Sequence, residues 1–173
     1  MAEGLPGSDL ETRAGEIIRL YSERGLKIVT AESCTGGLVT GWLTAIPGSS
    51  AVVERGFVTY SNEAKIELLS VPAELIASLG AVSADTAAAM VYGALAHSRA
   101  DIAISVTGIA GPGGGSEEKP VGLVHFACAV RDQRPRLVEK RFGNIGRTEI
   151  RQRSVEVALD LLGEAALAIP GRP

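Results

Sequence analysis

Lys65 stands one helical turn before Leu68 and Leu69, so the stem of its side chain runs along an apolar face. Burial disfavours an ammonium and lowers a lysine's pKa, which is what a general base needs. A neutral amine there could take the proton of a serine hydroxyl, the logic of other Ser–Lys nucleophile pairs. Pro47-Gly48-Ser49-Ser50 precedes it and offers hydroxyls, and Tyr60, ending an apolar run, is placed to relay or orient the proton. A lysine snorkelling into water fits the same spacing.

Three polar, glycine-rich segments accompany this pair. In Glu32-Ser33-Cys34-Thr35-Gly36-Gly37, Ser33 or Thr35 can cap a helix, and the two glycines leave amides open to a ligand. Such a helix start attracts anions, although a plain N-cap has the same spacing. Thr107 to Gly115 holds five glycines in nine residues. No Gly-Lys-Ser/Thr follows it, and Gly-x-Gly-x-x-Gly fails at Ser116, so it is neither a P-loop nor a dinucleotide fingerprint. Close backbone approach to a ligand and a flexible connector both remain open for it. Arg147 and Arg151 form a like-charge i, i+4 pair at the start of a helix, where cations oppose the dipole; a bound phosphate would answer both objections. His97 and His125 read as structural.

The elements that must carry these residues alternate. Helical spacing of Leu10, Ala14, Ile17, Ile18 and Tyr21 predicts a first helix ending near Gly25, followed by a strand over 27–30. A helix over 36–45 stops at Pro47-Gly48, a strand follows over 52–60, and helices over 62–69 and from Pro72 come next. Ser83 caps an Ala-rich helix that runs to His97. A buried strand over 102–106, a hairpin over 121–130 and 136–142, and a helix over 146–168 complete the chain. This order predicts an α/β protein: a three-layer α/β/α sandwich around a mixed, mostly parallel sheet of about five strands, in a single domain with an ordered core over 9–167. Ligands of such sheets bind beyond the carboxyl ends of the strands, where segments 31–37, 47–65 and 107–120 would converge. Residues 1–8 and 169–173 read as loose ends.

Composition excludes several classes. The chain has 173 residues, a net charge of -3 and 4% aromatics, with no basic stripe interleaved with aromatics, so nucleic acid is a poor partner. No apolar run approaches the roughly 20 residues of a membrane span, and no secretion signal is evident. Cys34 and Cys128 lack ligand spacing, which points to a reducing, cytoplasmic setting. Two cysteines and two histidines would make a four-ligand zinc site only by coincidence, so no metal and no cofactor are expected.

Together the segments 30–37 (Thr-Ala-Glu-Ser-Cys-Thr-Gly-Gly), 47–50, 56–65 and 107–122 resemble the CinA C-terminal domain family over about residues 9–167, without clear departure, and in what looks like its stand-alone form. The family includes amidohydrolases of nicotinamide mononucleotide. The resemblance implies metal-free hydrolysis of a pyridine nucleotide carboxamide by a Ser–Lys pair, with a small-molecule substrate and a homodimer. Carried over by residue, Ser50 would be the nucleophile, Lys65 its base and Tyr60 the assisting hydroxyl. Ser33 and Thr107 would line the reaction centre and Arg147 would contact substrate, with Thr35, Gly36, Gly108 and Gly111 in the binding loops. Ser33 is the alternative nucleophile. The loop amides or the Thr107 hydroxyl would hold the oxyanion, and a helix N-terminus or Arg147 the phosphate.

Overall fold

A computed structural model describes residues 8–169; of the loose ends expected at 1–8 and 169–173, residues 1–7 and 170–173 lie outside the described residues, while Ser8 opens the first helix and the Ile169 N–H donates to the Ala166 carbonyl. Five strands, β1 (Ile28–Glu32), β2 (Val53–Val58), β3 (Ile102–Gly108), β4 (Leu123–Val130) and β5 (Arg136–Arg141), form one sheet in the order β2-β1-β3-β4-β5. β1 runs parallel to both β2 and β3, and the hairpin β3–β4–β5 is antiparallel. Four strands therefore share one direction and β4 opposes them. The expected three-layer α/β/α arrangement is what the chain adopts.

Alternation along β1 sorts the layers. Ile28 faces a core shared with α1 (Ser8–Arg24), α2 (Leu38–Thr44) and α6 (Arg147–Ala168). Val29 and Ala31 face the other core, built with α3 (Asn62–Leu69), α4 (Ala73–Leu79) and α5 (Ala84–Ala96). This is the period-two rule of a strand buried on both sides.

Local chemistry explains where these helices start. Ser61 accepts the Ala64 N–H at 3.0 Å and opens α3, and Ser83 accepts the Thr86 N–H at 3.1 Å and opens α5, as expected from its position. At Gly93 the backbone of α5 touches α3, since a Cβ there would run into the Leu69 carbonyl. That close approach seats α3, which carries Lys65, against α5.

Candidate active site at the carboxyl ends of β1 and β3

β1 leads directly into Ser33. The Ser33 N–H donates to the Val106 carbonyl at 2.9 Å, which ties the turn to the neighbouring strand β3. Lys65 lies on the second turn of α3 and is only 1% exposed. Its Nζ is 2.9 Å from Ser33 Oγ, 2.8 Å from the Thr59 carbonyl and 3.5 Å from the Ser61 carbonyl. Among the described residues no carboxylate comes within ion-pair distance of this amine. Burial pushes its pKa below the ordinary 10.5, opposed weakly by Cys34. Two carbonyls can satisfy the two N–H groups of a neutral amine, which leaves its lone pair for the Ser33 hydroxyl.

A cavity of about 280 Å³ opens beside this pair, with walls from Ser33, Cys34, Tyr60, Lys65, the glycine-rich loop after β3 and Arg147. Three roomier hollows, of about 460, 590 and 300 Å³, lie under Tyr92, beside His125 and between Arg13 and Asp160, and hold neither member of the pair. Convergence of polar groups, rather than volume, singles out the smaller one.

The expected Ser50–Lys65 pair is not formed. Ser50 lies exposed in a short 3-10 helix, Ser49–Ala51, at the start of β2, whereas Lys65 follows the end of that strand. A six-residue strand spans about 20 Å, so the two side chains sit at opposite ends of the sheet. The hydroxyl that meets the amine belongs to Ser33.

Other expected residues divide. Tyr60, Thr107, Gly108, Gly111 and Arg147 all line the cavity. The Arg147 guanidinium donates to the Gly111 carbonyl and to the Tyr60 hydroxyl, each at 2.8 Å. Tyr60 is thus engaged with Arg147 and makes no hydrogen bond to Lys65 or Ser33. Thr107 donates its hydroxyl proton to the Ala81 carbonyl at 2.7 Å, so that proton is not available to an oxyanion. Thr35 and Gly36 are absent from the cavity wall. Arg151 turns away from Arg147 and donates to the Thr35 carbonyl at 3.0 Å, so both arginines are held by carbonyls without a phosphate.

The anion expected at the start of α2 is already supplied by the chain. Glu32 is fully buried, and its Oε2 accepts the N–H groups of Gly37 and Val39, each at 3.0 Å. Its Oε1 accepts the Thr40 N–H and hydroxyl, each at 2.8 Å. Sequence reasoning passed over Glu32; an acid just ahead of a glycine-marked helix start was its signal. Asn62 and the Ala81–Val82 segment also line the cavity without having been singled out.

Cys34 and Cys128 are free and buried, and burial pushes both thiols up to about 12. His97 Nδ1–H donates to the Gly93 carbonyl at 2.8 Å, as a helix-end residue, and His125 is buried and held below its ordinary pKa by burial. Among the described residues no three of His, Cys, Asp and Glu gather to hold a metal, and no helix is long and apolar enough to cross a membrane.

The family model for the CinA C-terminal domain matches residues 10–166. A CinA-like protein of Citrifermentans bemidjiense is 47% identical over 167 residues, covering 95% of this chain and 40% of its own length. A CinA-like protein of Mycobacterium marinum is 52% identical over 150 residues, 86% of this chain and 34% of its own length. The chain spans 30% of the relative from Symbiobacterium thermophilum, and thus well under half of the curated relatives it matches. The solved structure of the competence/damage inducible protein CihA from Agrobacterium tumefaciens superposes with a TM-score of 0.91 at 54% identity, covering 95% of this chain and 99% of that one. A competence damage-inducible protein from Klebsiella pneumoniae superposes at 0.88 with 37% identity, over 93% and 99% of the two chains.

Proposed function

The chain belongs to the CinA C-terminal domain family, and we propose that it hydrolyses the carboxamide of nicotinamide mononucleotide to nicotinic acid mononucleotide and ammonia. The observation that carries the reaction type is the 2.9 Å approach of a buried lysine amine, without a carboxylate partner, to the Ser33 hydroxyl. The substrate comes from the family resemblance, and a cavity walled by Arg147 and a glycine-rich loop supports a small anionic ligand.

In this reading Ser33 Oγ attacks the carboxamide carbon while neutral Lys65 takes its proton. The carbonyl oxygen becomes an oxyanion. The Cys34 N–H, next along the chain from the nucleophile and with no acceptor on any other described residue, is its donor. Lys65 then returns the proton to the departing nitrogen, the C–N bond breaks, and ammonia leaves an acyl-Ser33 ester. Water, deprotonated by the same amine, attacks the ester carbon; the ester C–O bond breaks as Lys65 returns that proton to Ser33 Oγ, and the freed acid ionises to the carboxylate by losing its proton to solvent. Each half-reaction returns Lys65 to its neutral form, so no other base is required. Arg147 keeps donors beyond its two internal bonds and contacts the substrate phosphate, and Tyr60 orients that guanidinium.

Ammonia release from nicotinamide mononucleotide, measured with chelator present, tests the reading. Wild-type turnover that disappears in Ser33→Ala and in Lys65→Ala is the expected result. A thermal shift with the nucleotide but no ammonia would instead favour a non-catalytic sensing domain. The resemblance also carries a homodimer, and the two free cysteines point to a reducing, cytoplasmic setting; light scattering and fractionation check them.

A further inference from the structure

Residue 32 is tied to both halves of the Ser–Lys pair, to Ser33 along the chain and to Lys65 through Thr59. Its backbone carbonyl accepts the Thr59 N–H at 2.8 Å, and the Thr59 carbonyl in turn lies 2.8 Å from Lys65 Nζ. Its side chain collects the amides that open α2, and its peptide leads into Ser33. The turn between β1 and α2 is fastened at three further points: Ser33 N–H to Val106, Gly36 N–H to the Ser33 carbonyl at 3.0 Å, and Arg151 to the Thr35 carbonyl. Within this turn the amides of Cys34 and Thr35 have no acceptor on another described residue, and of the two residues Cys34 lines the cavity.

We propose that Glu32 is a positioning residue for the nucleophile: its carboxylate takes the place of a bound anion at the start of α2 and locks the turn that aims Ser33 Oγ and the Cys34 N–H. A second consequence follows from the same contacts. The amides at the start of α2 are closed to the substrate, so its phosphate is directed to the Arg147 side of the cavity. The hydroxyls near Glu32 are ordered by this demand. Thr40 Oγ1 gives its proton to Glu32, so Thr30, 2.6 Å away, must donate to Thr40. A glutamine cannot replace the carboxylate. Whichever way its amide is flipped, the NH₂ group faces at least one backbone N–H, because Gly37 and Val39 point at one oxygen and the Thr40 N–H at the other.

The inference rests on Ser33 as nucleophile, so its test separates the two ideas. In Glu32→Gln, kcat for ammonia release is expected to fall about 10- to 100-fold, the scale of a small misplacement of a reacting group. KM and affinity for nicotinic acid mononucleotide should move less than about threefold, because the binding walls are elsewhere. Glu32→Ala should regain part of its kcat with added acetate, which replaces the lost carboxylate, and none with acetamide. Turnover within twofold of wild type in Glu32→Gln, or loss of rate and product affinity in equal proportion, overturns the inference. If the wild type releases no ammonia, the substrate reading fails by itself. The rate at which a fluorophosphonate labels Ser33 then decides: about tenfold slower labelling in folded Glu32→Gln sustains the positioning role, and equal labelling removes it.

Discussion

The Tyr60 hydroxyl and the Arg147 guanidinium meet at 2.8 Å at the cavity, and Tyr60 is 60% exposed. In the proposed mechanism a phenol in that place orients the cation assigned to the substrate, and it makes no hydrogen bond to Ser33 or Lys65. Tyr60→Phe should therefore raise KM for the nucleotide by about three- to tenfold, the worth of one ordinary hydrogen bond at an exposed site, while kcat changes less than about threefold. Steady-state kinetics check this. A loss confined to kcat would return Tyr60 to the chemistry.

The two serines give opposite expectations. Ser33→Ala should lower kcat by at least about a thousandfold, since the loss of a nucleophile removes the covalent route. Ser50→Ala, on the exposed 3-10 helix, should leave ammonia release within about twofold of wild type. Parallel assays of the two variants decide between them, and a silent Ser33→Ala would dismiss the pair at the carboxyl ends of the strands.

Burial lowers the Lys65 pKa from 10.5, and the direction fixes two pH dependences. Activity needs the neutral amine, so kcat should rise with pH and level off below 10.5. For stability, the unfolded chain holds a proton that the folded chain lacks between the lowered value and 10.5, so wild-type stability rises with pH across that window. Below the window both states are protonated and the folded state carries the full cost of burying the charge. Lys65→Met removes that cost along with the activity. Denaturant unfolding at about pH 7 and about pH 9.5 should show the Met variant gaining most, relative to wild type, at the lower pH. A gain that grows with pH would mean that the amine is held charged.

The layers were readable because their causes are local. β1 alternates between two cores, Ser61 and Ser83 cap their helices, and glycines or prolines stop the elements near where they end. Lys65 was readable only as a candidate, since Leu69 follows it on α3 but the same spacing fits a lysine snorkelling into water, and the base role came with the family resemblance. Its partner was not. Ser50 is closer along the chain than Ser33, but β2 runs between Ser50 and Lys65 and carries them to opposite ends of the sheet, whereas β1 brings Ser33 alongside. Sheet order decides this, and a pairing of β1 with β2 is a long-range fact that the two segments do not encode separately. Glu32 escaped notice because a carboxylate that serves its own helix start has the same spelling as one that serves a ligand.

The Glu32 network makes a steric demand at Gly56 on β2. A Cβ there would lie 2.6 Å from Thr40 Oγ1 and 2.8 Å from Thr30 Oγ1, the hydroxyls that lead to the Glu32 carboxylate. Gly56→Ala should thus cost about 1–3 kcal/mol by overpacking and, through Thr40, disturb the turn that carries Ser33. The expected outcome is a lower melting temperature together with a lower kcat at a temperature where the variant is still folded. Adding Thr40→Ser to Gly56→Ala removes a methyl that stands 3.0 Å from the new Cβ and keeps the hydroxyl. The double variant should recover part of both quantities, in a cycle whose coupling reports on residues in contact. Additive losses in that cycle would show that the crowding at Gly56 and the aim of Ser33 are independent.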